Sequence, residues 1–105
     1  MSRIVAYVPD LMDRSKVAAA GDAIFVSRPG DLAALCPSAD VVVVDLTRPG
    51  VVDVLTDLEG RVIGFANHTA RDVMDAARAA GCEQVLPRSD FFARIDELLG
   101  GSAGV

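Results

Sequence analysis

Short apolar runs alternate along the chain with stretches whose apolar positions recur at helical spacing. Residues 3–8 (RIVAYV), 23–27 (AIFVS), 40–45 (DVVVVD), 61–66 (RVIGFA) and 84–86 (QVL) are runs of strand formers. Residues 11–20 (LMDRSKVAAA) read as a helix, with Gly21 placed to take a left-handed C-terminal cap. Residues 30–36 (GDLAALC) allow only a short helix before Pro37. Over residues 50–58, Val51, Val54, Leu55 and Leu58 give the i, i+3, i+4, i+7 stripe of an amphipathic helix. Thr69 and Asp72 form a capping-box pattern ahead of a helix that runs to Gly81. Ser89 is placed to cap a last helix, with Phe91, Ile95 and Leu98 on one face and Phe92 and Leu99 beside them. One domain is expected over residues 1–99, with the closing GGSAGV as a flexible tail over 100–105.

A strand followed by a helix, five times over, predicts a parallel sheet covered by helices on both faces. Strands buried on both sides read as continuous apolar runs, which accounts for Val41 to Val44. Each buried valine contributes roughly 1.5–3 kcal/mol. A carboxylate inside that run would cost more than one valine gives, so Asp45 must lie where the strand leaves the core. In open parallel sheets ligands bind beyond the carboxyl ends of the strands, at the switch in strand order. With the common order 2-1-3-4-5 the switch falls between the first and third strands and makes Asp10 and Asp45 neighbours. Two adjacent carboxylates repel unless a proton or a cation lies between them, and a hard divalent ion such as Mg²⁺ suits their oxygens. Capping is the other reading of both acids, because acids after strands satisfy turns and helix starts.

Composition narrows the function. The chain has 105 residues, is 51% hydrophobic and carries a net charge of −5. Its positive charges are almost all Arg and stand singly, so the basic patch of a nucleic-acid binder is missing. No apolar run approaches the ~20 residues of a membrane span, and MSRIVAYV is too short in apolar residues for a signal peptide. Cys36 and Cys82 lack ligand-like spacing and read as reduced thiols. A cytoplasmic protein with neither nucleic-acid nor membrane partners is expected. Heavy use of Ala, Arg, Asp and Val beside a single Lys points to a GC-rich bacterial genome. There is no Gly-rich phosphate loop, and no Ser-His-Asp or Cys-His set can be argued, so an enzyme is not expected.

The five strand–helix units, the acid after the first strand, and "VVDL" followed by Pro49 resemble the receiver domain of two-component response regulators, over about residues 3–99. The stretch "AARAAGCEQVLPRSDFFARIDELL" is similar to that family's fourth helix, fifth strand and fifth helix. The resemblance implies a flavodoxin-like (βα)5 three-layer sandwich whose five-stranded parallel sheet has the order 2-1-3-4-5. In that family the Asp ending the third strand accepts a phosphoryl group from a histidine kinase; that position is Asp45. Two acids after the first strand hold Mg²⁺, and they fall on Pro9 and Asp10. The hydroxyl residue ending the fourth strand falls on Ala66, and the Lys ending the fifth strand on Arg88. The Pro after that Lys falls on Ser89, and the aromatic switch position on Val85. One acid, one hydroxyl and one ring are therefore missing, and a guanidinium fork stands where a point charge is usual.

These departures favour an atypical, stand-alone receiver that acts through protein–protein contact, independently of phosphorylation. The alternatives are a true phosphoacceptor, with Asp45 modified and Mg²⁺ on Asp10 and Asp45, and a small anion-binding protein or enzyme using the same rim. Arg88 is expected on that rim as a partner for an anion or as a salt bridge to Asp45. Asn67 and His68 follow the fourth strand on the same rim and are further binding candidates. Asp13, one helical turn beyond Asp10, is a reserve carboxylate. The partner is expected to be a histidine kinase or a downstream signalling protein. The resemblance also implies a contact or homodimer face on the fourth helix, fifth strand and fifth helix, carrying Asp72, Asp75, Arg78, Arg94 and Asp96.

Overall fold

Alternation along a parallel strand sends successive side chains to opposite faces, so a run of valines feeds two cores at once. The computed structural model describes residues 2–100. Its strands are β1 (Arg3–Tyr7), β2 (Asp22–Phe25), β3 (Val41–Asp45), β4 (Val62–Ala66) and β5 (Gln84–Pro87), all parallel, in the order β2-β1-β3-β4-β5. The expected flavodoxin-like order is thus the observed one. The helices are α1 (Leu11–Ala20), α2 (Leu32–Leu35), α3 (Val51–Val54), α4 (Arg71–Ala79), α5 (Arg88–Ala93) and α6 (Ile95–Gly100). The tail expected over 100–105 lies outside the described residues beyond Gly100. Among the described residues no helix is long and apolar enough to cross a membrane.

Every residue of β3 and β4 is buried. Val42 and Val44 point to the face covered by α2, α3 and α4, where they meet Leu32, Val51, Leu55, Met74 and Ala77. Val41 and Val43 point the other way, into a core with Val17 of α1, Phe91 of α5 and Leu98 and Leu99 of α6. There Phe65 stacks on Phe91 at 4.9 Å between ring centroids and meets the edge of Phe92 at 5.2 Å. Gly64 makes room in β4, because a Cβ there would stand 2.7 Å from a methyl carbon of Leu46.

Several local expectations are corrected. Gly21 is not a left-handed cap; its φ of 176° is extended, and a Cβ would come within 2.8 Å of Ile4 and 2.9 Å of the Ser2 carbonyl. Close approach, not turn geometry, explains that glycine. The helix expected over 50–58 is a single turn, α3, followed by a 3₁₀ turn at Leu55–Asp57. Val51, Val52, Val54 and Thr56 are β-branched and hold a longer helix poorly. The Thr69–Asp72 capping box does not form. Ala70 closes a turn onto the Asn67 carbonyl, so α4 starts one residue late for Thr69 to cap it. Ser89 does not cap either, since α5 already begins at Arg88, after Pro87. The last helix is also broken at Arg94, between α5 and α6.

Candidate functional site

The carboxyl ends of β1, β3, β4 and β5 form the rim predicted from the strand order. Past Tyr7 the chain runs through buried Val8 and turns at Asp10, whose extended backbone starts α1. Asp10 Oδ1 accepts the Asp13 N–H at 3.0 Å, an N-cap bond. That bond holds the exposed Asp10 carboxyl below its usual 3.8; the Arg88 and Arg48 charges add to the effect.

Asp45 is the last residue of β3 and is 4% exposed. Its Oδ1 accepts the Thr47 hydroxyl at 2.6 Å and the Thr47 N–H at 3.1 Å. Its Oδ2 accepts Nε–H of Arg48 at 3.3 Å. Both oxygens are therefore used by the loop that follows the strand. The salt bridge expected from Arg88 to Asp45 is not formed. Arg88 instead gives both arms of its fork to Asp13, Nη1 to Oδ2 at 2.9 Å and Nη2 to Oδ1 at 2.5 Å. Asp13 lies one helical turn past Asp10, on the buried side of α1, where its carboxylate matches the fork face to face. The guanidinium also stands over the rings of Phe92 and Phe65, at 5.2 and 5.7 Å. The Asp13 bonds raise the Arg88 pKa, and partial burial opposes them.

The remaining candidates divide. Ala66 is buried at the end of β4, while Asn67 and His68 are exposed after it. Among the described residues neither of those two side chains hydrogen-bonds to the acids; His68 instead lines a groove with Arg71, Met74, Asp75, Arg78 and Pro87. Val85 is buried in the core and Ser89 is exposed on α5. The two cysteines are free, and burial pushes the Cys82 thiol up to about 11, away from thiolate chemistry. Arg48 escaped the sequence reading, although its three-residue spacing from Asp45 was a signal of a local pair. Arg71, Met74 and Pro87 gave no such signal, because only the packing of α4 on β5 brings them together.

A divalent cation fits this donor set poorly. Mg²⁺ keeps several waters and is held by one or two carboxylates whose oxygens are free to bind it. Here Asp10 caps a helix, Asp13 is matched to Arg88, and Asp45 is matched to Thr47 and Arg48. Among the described residues no group of three His, Cys, Asp or Glu side chains is placed to hold a metal ion. A metal ion on Asp10 and Asp45 would have to compete with these internal bonds, and two guanidiniums supply positive charge at the rim.

No protein-family model matches the chain, and no curated protein matches it. Solved structures do. A response regulator from Hahella chejuensis superposes with a TM-score of 0.77 at 16% identity, covering 95% of this chain and 93% of that one. The signal receiver domain of NarL from Mycobacterium tuberculosis gives 0.72 at 18%, covering 98% and 96%. The Mn²⁺-bound form of the response regulator Rcp1 gives 0.74 at 12%, covering 93% and 91%. The chain therefore has the fold of response-regulator receiver domains, as its sequence resemblance implied.

Proposed function

We propose that this protein is an atypical receiver-type signalling domain of a bacterial cytoplasm. It acts by binding another protein, a kinase or a downstream component, and it neither accepts a phosphoryl group nor performs catalysis. One observation carries the reading. The two carboxylate oxygens of Asp45 and the two arms of Arg88 are all spent on internal bonds. A phosphoacceptor needs Asp45 free to attack, and its lysine-like partner free to hold the arriving charge. Ala66 adds no hydroxyl to help.

A second reading keeps Asp45 as phosphoacceptor. It is favoured by the position of that acid at the end of the central strand, and by the Mn²⁺ bound to Rcp1 in the same fold. Amide NMR spectra of the wild type and of Asp45→Asn, recorded in millimolar Mg²⁺ before and after adding beryllofluoride, separate the two. Unmoved resonances near residues 10, 45, 66–68 and 88 are the expected result. Shifts there in the wild type alone would establish the second reading.

A further inference from the structure

The groove beside the rim has a chemistry of its own. It encloses about 480 Å³, within the usual range for binding clefts, and its floor is Met74 and Pro87. Met74 is buried against the core, and Pro87 is half-buried at the end of β5. Its walls are charged. Arg71 and Arg78 are seven residues apart on α4, two turns and about 10 Å along the axis. Asp75 sits between them and bonds Arg78 at 2.9 Å, an exposed and therefore weak pair. Arg71 has no ion pair among the described residues. Two guanidiniums against one carboxylate leave the lining net positive, in a chain whose net charge is −5. An acidic ligand is repelled by the molecule as a whole and attracted here.

We propose that this groove receives an extended acidic segment of a partner protein, with one apolar side chain seated on Met74 and Pro87. The inference rests on the partner-binding reading above and names the partner's chemistry. An extended chain of polyproline II type advances about 3.1 Å per residue with three residues per turn, so two acids three residues apart lie on one face and span Arg71 and Arg78. The residue after the first acid reaches the apolar floor. Asp75, midway along the wall, rejects an acid in the middle of the segment. The fitting pattern is acid, apolar, neutral, acid.

The test uses the whole chain and two capped hexapeptides, GELAEG and GQLAQG, without Mg²⁺ or beryllofluoride. The acidic peptide is expected to shift the amides of His68, Arg71, Met74, Asp75 and Arg78, and to dissociate as salt is raised. The neutral peptide leaves them in place. Arg71→Glu weakens binding about five- to tenfold, while the rest of its spectrum reports an intact fold. Equal shifts with both peptides would overturn the proposal, as would no shift at millimolar peptide either with or without beryllofluoride. It is also overturned if sedimentation shows a dimer that Arg71→Glu dissolves and the peptide does not, since the occupant is then a second copy. Repeating the titration with beryllofluoride keeps the two proposals apart. Peptide binding only in its presence sustains the groove and sinks the phosphorylation-independent reading. No peptide binding, with beryllofluoride also silent, sinks the groove alone.

Discussion

Two Asp–Arg pairs flank the carboxyl ends of the sheet, and they are built differently. Asp13–Arg88 joins residues 75 apart in sequence through two bonds of 2.9 and 2.5 Å, with the Asp13 side chain 3% exposed. Asp45–Arg48 joins residues three apart through one contact of 3.3 Å, and the Arg48 side chain is 41% exposed. The first fastens α1 to the start of α5 over the phenylalanine cluster. The second folds a loop back on its own strand. A matched fork on a buried carboxylate has one geometry and resists separation, whereas an exposed single contact is screened and loses little when it opens. The same two residue types thus make a tertiary fastening on one side of the rim and a local clasp on the other.

Breaking the fastening should have the larger effect. Removing one partner of a buried pair typically costs about 3–5 kcal/mol. The Arg88 side chain is 40% exposed and can regain water, so Asp13→Ala is expected to cost about 2 kcal/mol, or roughly 10 °C in Tm for a domain of this size. Arg88→Lys keeps the charge and loses the fork, and should cost about half as much. Thermal melts of both variants check the ranking. A loss for Asp13→Ala no greater than for the clasp would show that the two pairs are equivalent.

Opening the clasp sharpens the comparison from the other side. Arg48→Ala should change stability by less than about 0.5 kcal/mol. Its amide shifts should stay within the β3–α3 loop, at Leu46 to Val51, because the Thr47 bonds to Asp45 remain. Resonances of Asp13 and Arg88 should not move. Shifts carried across to α1 would mean that the pairs communicate, and the division into fastening and clasp would fail.

The sequence made one of these pairs far easier to see than the other. Strand order, the position of Asp45 at a strand end and the capping role of Asp10 all follow from local patterns: a valine run, a strand–helix alternation, an acid at a helix start. Arg48 lies within reach of Asp45 by spacing alone. Asp13–Arg88 depends on which side of α1 faces the start of α5, and that orientation is decided by Val17 and the phenylalanines packing together on one face of the sheet. Family resemblance pointed Arg88 at Asp45, because it fixes a position in the chain and not the partner that a longer, forked side chain finds. The missed caps at Thr69 and Ser89 have the same origin. Each lay one or two residues from the true helix start, and Ala70 and Pro87 set those starts through the turns before them.

Asp10 offers the finest test, because it senses both guanidiniums at once. Its carboxyl is lowered first by the Asp13 N–H; desolvation opposes this, and the Met12 N–H, Arg88 and Arg48 lower it further, in that order. A carboxyl whose folded pKa is depressed stabilises the fold above its unfolded value near 3.8, and that contribution fades as pH falls through the lower folded value. The Tm advantage of wild type over Asp10→Asn should therefore be present at neutral pH and shrink in acid. A carbon-13 titration of the Asp10 carboxyl resolves the two cations. Arg88→Gln should raise its midpoint more than Arg48→Ala does, since the fastened guanidinium stays in place while the clasped one is held by a single contact. The reverse order would make Arg48 the dominant charge at the rim and Arg88 a purely structural residue.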